Sequence, residues 1–218
     1  MKSTSWEKYW GSEEKLDHWK VPEPEVIDFI KEVKEIHSTA SVLDLGCGLG
    51  RHSIAFAEEG FDVQAVDFSK EALEQLDDIG KKNDLQIQIR IGDYRSTLYE
   101  NESFEIVLSY NVLYHGSRDE FQNSIKKCYN YLKPNGIFMF TCVTRDDDKY
   151  GNGKMKAPHT YLSENSVHPG DIHYFSSEED LNEMLCMFKA ISLSRKEHEW
   201  IYKGEKRFSS YWVVVARK

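Results

Sequence analysis

Three observations predict an α/β fold with a mostly parallel sheet. Short apolar runs alternate with amphipathic segments through the first two-thirds of the chain, a glycine-rich turn follows the first run, and two apolar runs close the chain with a short connection between them. Alternating strands and helices form crossover units, which build a parallel sheet covered on both faces. The short final connection forces an antiparallel pair, because a parallel return needs a dozen or more residues. The expected architecture is a seven-stranded sheet with an antiparallel strand near one edge.

Each element has its own signal. "PEPEVIDFIKEVKEI" places Val26, Phe29, Ile30, Val33 and Ile36 at helical spacing, with Pro24 in the first turn. "ASVLDLG" is a short buried strand, and a helix follows from Arg51 to Glu59, ended by Gly60. "FDVQAVD" is the second strand. Ser69 caps the next helix, whose buried face carries Ala72, Leu73, Leu76 and Ile79. "LQIQIRI" alternates as a third strand, and the nearly all-apolar "FEIVLSY" reads as a central fourth. A helix from Arg118 to Leu132 stops at Pro134 and Gly136 and leads into "GIFMFTCV", the fifth strand. Another helix is expected from Ser177 to Phe188, then strands near Ala190 to Arg195 and Tyr211 to Ala216. Residues 144–175 break the alternation with three glycines and two prolines, a length that suggests a lid.

The whole chain of 218 residues suits a single domain. Its net charge of −9 disfavours nonspecific grip on nucleic acid or an anionic membrane, since both reward clustered Lys and Arg. The four cysteines, Cys47, Cys128, Cys142 and Cys186, lie far apart, which argues against a zinc or disulfide framework and for a reducing compartment. The first twenty residues lack the apolar core of a secretion signal, so a cytoplasmic location is expected, as monomer or homodimer.

"SVLDLGCGLGRH" places glycines at 46, 48 and 50 after a strand that carries Asp44. In open α/β sheets such a loop meets ligand at the carboxyl ends of the strands. A dinucleotide would want GxGxxG, but this pattern is GxGxG followed by Arg51. A carboxylate at the loop mouth repels a pyrophosphate and attracts an ammonium. The loop therefore suits a cation-bearing nucleoside.

"VLDLGCGLG" resembles the first motif of the class I S-adenosylmethionine-dependent methyltransferases, in their small-molecule branch, and the likeness continues in order to about Val143. The resemblance implies a Rossmann-like fold, S-adenosylmethionine as cofactor and a small-molecule methyl acceptor. It places Asp44, Gly46, Cys47, Gly48 and Gly50 at the methionine moiety. Asp67, ending "VQAVDFS", resembles the acid that holds both ribose hydroxyls, with Phe68 on the adenine face. In "GDYR", Asp93 corresponds to the acceptor from the adenine amine, beside Tyr94; in "FEIVLSYNVLYH", Ser109 and Tyr110 fall near the methionine end. "LKPNGIFMF" resembles the turn and fifth strand common in that branch.

Blander roles stand beside these. Asp67 could cap the next helix, Asp93 could hold a turn, and Cys47 could simply fit the loop. The acids at 146–148 read as a solvated loop rather than a magnesium site, and His168 and His173 lack a third metal partner. Methyl transfer to oxygen or nitrogen can require a base, and His115, just past the fourth strand, is the best candidate; a structural histidine is an equal alternative. Tyr114, His52, His168, His173 and Tyr174 are weaker ones. Residues 1–38 are expected to form a helical lid bearing Trp6, Tyr9, Trp10 and Trp19, although these aromatics could equally be packing anchors. No Asn/Asp-Pro-Pro-Tyr motif of nucleobase amine methylation is present, the corresponding place reading "SYNV", and this agrees with the acidic charge in disfavouring nucleic acid. The alternatives are a noncatalytic S-adenosylmethionine-binding protein and, less favoured, a nicotinamide oxidoreductase.

Overall fold

The structure, a computed structural model, describes residues 17–163, 170–202 and 204–218. Among the described residues, ten strands form two sheets. The larger has seven strands in the order β3-β2-β1-β4-β5-β10-β9. These are β1 (Ser41–Leu45), β2 (Asp62–Asp67), β3 (Ile87–Ile91), β4 (Phe104–Ser109), β5 (Leu132–Val143), β9 (Ala190–Tyr202) and β10 (Glu205–Arg217). The first five run parallel, and β10 lies antiparallel between β5 and β9. The expected sheet is therefore the one observed.

Alternation along the strands sorts side chains to two core layers. Val42, Ile106 and Val213 join the layer under α1 (Pro24–Ile36) and α2 (Arg51–Glu58). Their neighbours Leu43, Val107 and Val214 join the opposite layer, under α4 (Arg118–Tyr131) and α5 (Glu178–Met184). Helix α3 (Lys70–Lys82) packs on β2 and β3, capped by Ser69, whose hydroxyl accepts from the Ala72 N–H at 3.2 Å. Because β2 and β4 flank β1 on opposite sides, the strand order reverses there, and the carboxyl ends of β1 and β4 open a crevice.

Boundaries differ in three places. Helix α5 ends at Met184 rather than Phe188, and β5 starts at Leu132, ahead of Pro134 and Gly136. The final hairpin is much longer than expected, with Arg195 to Glu199 pairing with Trp212 to Phe208. Those charged residues look like loop in the sequence but sit on an edge strand, where charge protects against edge-to-edge association.

The 144–175 stretch is not simply a loop. It contains the small antiparallel sheet β6 (Lys154–Ala157), β7 (Thr160–Leu162) and β8 (Ile172–Tyr174), in that order. The Tyr174 N–H donates to the Tyr114 carbonyl at 2.9 Å, which ties β8 to the segment after β4. The acid run also needs correction. Asp147 is buried at 3% exposure and accepts from the backbone N–H groups of Lys149 (3.0 Å) and Ser210 (3.1 Å). Asp148 accepts from the Phe208 N–H at 3.2 Å and pairs with Arg207 at 2.7 Å. Two of the three acids thus staple the turn to β10; only Asp146 is exposed, and it pairs with Arg195. No group of three candidate metal ligands occurs among the described residues. Nor is any helix among them long and apolar enough to cross a membrane.

Candidate active site

The crevice holds a cavity of about 330 Å³. Its floor is the turn after β1. Gly46, Gly48 and Gly50 all have positive φ, which side-chain-bearing residues rarely adopt. Gly50 serves packing rather than ligand: it does not line the cavity, and a Cβ there would run into Leu76 of α3. It thus permits the close helix approach that the third glycine of a dinucleotide loop provides one position later. Gly46, Cys47 and Gly48 form the wall itself. Burial, with the nearby Asp67 and Asp44 carboxylates adding to it, pushes the Cys47 thiol well above its ordinary range, so it is a neutral wall group.

Asp67 lines the cavity at the end of β2 and is 7% exposed. Its two oxygens accept from the Gly48 and Ser69 N–H groups, each at 2.9 Å. Burial raises its pKa against those hydrogen bonds. Ser69, not Asp67, caps α3, and each Asp67 oxygen keeps acceptor capacity for a hydroxyl. Phe68 stands beside it on the wall. At the end of the neighbouring strand β3, Asp93 is gripped by Arg95, with Nε to Oδ1 at 2.9 Å and an Nη to Oδ2 at 2.6 Å. Partial burial opposes its charge, but these contacts outweigh that and hold Asp93 below its ordinary value. The Tyr94 hydroxyl donates to the His115 carbonyl, and burial raises its pKa, so it is a donor and not a base.

Two expected residues stand behind the wall. Asp44 is 2% exposed and accepts from the Ser53 hydroxyl at 2.6 Å. Burial pushes it up to about 6, opposed by that hydrogen bond. It does not line the cavity. Ser109 is fully buried and donates to the Leu45 carbonyl at 2.9 Å, tying β4 to β1.

His115 lines the far end of the cavity, stacked on Tyr114 with centroids 4.5 Å apart and edge-on to His173 at 4.6 Å. Of the weaker candidates, Tyr114 and His173 are buried beside it and Tyr174 lies in the core, while His168 falls outside the described residues. His52 lines the cavity, and burial and Arg51 hold it well below its ordinary pKa; its Nε2 accepts from the Glu23 N–H at 3.3 Å. Trp19 also lines the cavity, whereas Trp6, Tyr9 and Trp10 fall outside the described residues.

Sequence reasoning passed over several wall residues, among them Asn111, Glu120 and Asp171. Asn111 has φ 60°, and its side-chain carbonyl and backbone N–H both engage the Thr141 hydroxyl, at 3.0 and 2.8 Å. A non-glycine in that conformation beside a ligand cavity is a recognisable signal, but only in three dimensions.

Residues 42–136 match the model of a family described as a methyltransferase domain. A ubiquinone biosynthesis O-methyltransferase of Rickettsia typhi is 26% identical over 207 residues, covering 88% of this chain and 80% of that protein. A glycine/sarcosine N-methyltransferase of Aphanothece halophytica is 33% identical over 138 residues, covering 61% of this chain and 50% of that protein. The relatives also include a tRNA N(3)-methylcytidine methyltransferase of Drosophila melanogaster, 25% identical and covering 83% of this chain and 59% of that protein. Among solved structures, an S-adenosylmethionine-dependent methyltransferase from Methanosarcina mazei superposes with a TM-score of 0.70 at 19% identity, over 91% of this chain and 98% of that one. Residues 42–136 form a methyltransferase domain, and the relatives and structural neighbours support a class I S-adenosylmethionine-dependent methyltransferase. Its cofactor is S-adenosylmethionine.

Proposed function

We propose that this enzyme moves the methyl group to an oxygen, nitrogen or sulfur atom of a small molecule. The observation that carries this reading is a cavity lined both by the glycine-turn residues Gly46, Cys47 and Gly48 and by Asn111, His115 and Ile172. Its volume of about 330 Å³ falls within the range of small-ligand sites. The net charge of −9 and the cavity acids Asp67, Asp93, Glu120 and Asp171 give little reward to a polyanionic acceptor.

The donor set fits the cofactor. The two Asp67 oxygens suit two vicinal hydroxyls, and Phe68 offers a ring to the adenine face. No side chain caps α2, so its first-turn N–H groups suit the cofactor's carboxylate. The buried Asp44 charge favours the ammonium. Asp93, with its orientation fixed by Arg95, is placed to accept from the adenine amine. Bound S-adenosylmethionine supplies a methyl group already activated on a sulfonium, so the protein's main tasks are alignment and a fitting field. At the acceptor end His115 takes the proton when the acceptor arrives protonated. Gly170, Asp171 and Ile172, on the cavity wall, extend the 144–175 stretch over the site as a lid that excludes water.

An assay for S-adenosylhomocysteine release over a panel of amines, thiols and phenols, with bulk tRNA as an added arm, tests the reading. Turnover on one small-molecule class is expected. Turnover on RNA alone would overturn the small-molecule assignment.

A further inference from the structure

Residues 19–23 lead into α1, Trp19 lines the cavity, and the contacts of residues 19–25 converge on the first turn of α2 and on Tyr110. Arg51, the residue after the last loop glycine, is the hub. Its side chain is 6% exposed and pairs with Glu23 at 3.0 Å. The guanidinium also donates to the Val21 carbonyl at 3.2 Å. It lies 5.0 Å from the Trp19 ring centroid and 5.7 Å from that of Tyr110. Beside it, His52 accepts from the Glu23 N–H, and the Tyr110 hydroxyl donates to Glu25 at 2.6 Å. Trp19, Arg51, His52 and Tyr110 all line the cavity, as do Gly46, Cys47 and Gly48; Glu23 does not.

We propose that Arg51 is a positioning residue that couples docking of the 19–25 strap to occupancy of the cofactor site. The physical basis is shared geometry. Arg51 starts the helix whose preceding turn forms the cofactor wall, so an ordered turn places the guanidinium where the strap can clasp it. A ligand that fills the cavity meets both the turn and Trp19, so it binds the docked strap better than the undocked one. Linkage then requires the reverse: a docked strap raises cofactor affinity. Arginine suits the role because its planar fork can donate to a carboxylate and a carbonyl together while stacking on aromatic faces. The strap thereby closes the acceptor end only when the methyl donor is in place. This inference rests on the cofactor site and is independent of which acceptor is used.

The test uses S-adenosylhomocysteine as probe and the full chain. Glu23→Gln changes a strap residue that does not line the cavity, and Arg51→Gln changes its partner. Each is expected to weaken binding roughly 5- to 50-fold, within the usual span of coupling between sites. The double variant should be little worse than either single one, because the two act through one contact. The exchanged pair Glu23→Arg with Arg51→Glu should recover part of the loss. A second readout is trypsin cleavage after Lys20, followed by mass spectrometry. Saturating S-adenosylhomocysteine should slow that cut in the unmodified protein, and the cut should be faster in Glu23→Gln without ligand. Thermal unfolding confirms that each variant is folded, and Glu23→Gln alone decides the matter should Arg51→Gln unfold. Unchanged affinity in Glu23→Gln, or a Lys20 cut that ignores the ligand, would overturn the coupling.

Discussion

At the ends of β1 and β2 the cavity is lined by one tight turn and the acid that holds it. Past the end of β4 it is lined by residues drawn from distant segments. The first half consists of one turn whose wall glycines, Gly46 and Gly48, have positive φ, and an acid, Asp67, locked by the N–H groups of Gly48 and Ser69. The second half brings together Asn111 and His115 after β4 and Gly170 to Ile172 at the edge of the small sheet. The difference teaches how one fold serves many acceptors. On the proposed reading, the half that takes the cofactor is fixed by the glycine turn, and the half that takes the acceptor lies on loops and insertions that can vary without disturbing the sheet.

Substitutions can break this division of labour. The largest expected effect is at Gly48, with φ 54°. Valine is β-branched and disfavoured in that conformation, and its side chain would obstruct the wall. Gly48→Val should abolish S-adenosylhomocysteine binding while circular dichroism stays near native. Next is His115→Ala, expected to lower turnover on a protonated acceptor by roughly 10²- to 10⁴-fold, the usual contribution of a general base. Steady-state kinetics near neutral pH would show it, and an acceptor already deprotonated should be little affected.

The smallest effect sharpens the comparison from behind the wall. Burial raises Asp44 from 3.8 to about 6. The folded state therefore holds this proton to higher pH than the unfolded state, and ionising Asp44 costs stability as pH rises through that window. Above it the cost is constant. Asp44→Asn, which can still accept from Ser53, should gain on the unmodified protein between about pH 4 and 6, by a few degrees in Tm. Differential scanning calorimetry across that range would measure it. The same substitution should weaken binding of the ammonium-bearing ligand above pH 6, which separates a functional charge from a merely tolerated one.

How much was legible in the sequence follows the same divide. Strands β1 to β5 and the glycine turn announce themselves locally, through alternation and through residue types that a tight turn demands. The roles expected for Asp67 and Asp93 come from the resemblance of "VQAVDFS" and "GDYR" to family motifs; both residues lie on the cavity wall, Asp67 as the last residue of β2 and Asp93 two positions after β3. The clasp between Arg51 and Glu23 leaves no such trace, since its partners are 28 positions apart and neither spacing nor composition marks them. Asp147 reads as solvated because two acids flank it, but its surroundings are set by backbone N–H groups, including that of Ser210, far along the chain. The strand "KMKA" is exposed throughout, so it carries no hydrophobic pattern and depends on pairing with β7. Asp44 was expected at the loop mouth, but strand alternation and the Ser53 hydroxyl draw it behind the wall.

The most direct measurement is a paired calorimetric titration of S-adenosylhomocysteine into Asp67→Ala and His115→Ala, both shown to be folded. Asp67→Ala should lose about 2–3 kcal/mol of binding free energy, the scale of charge-assisted hydrogen bonds to both ribose hydroxyls, whereas His115→Ala should bind like the unmodified protein. Undiminished affinity in Asp67→Ala, or an equal loss in both variants, would contradict the division of the cavity into a cofactor half and an acceptor half.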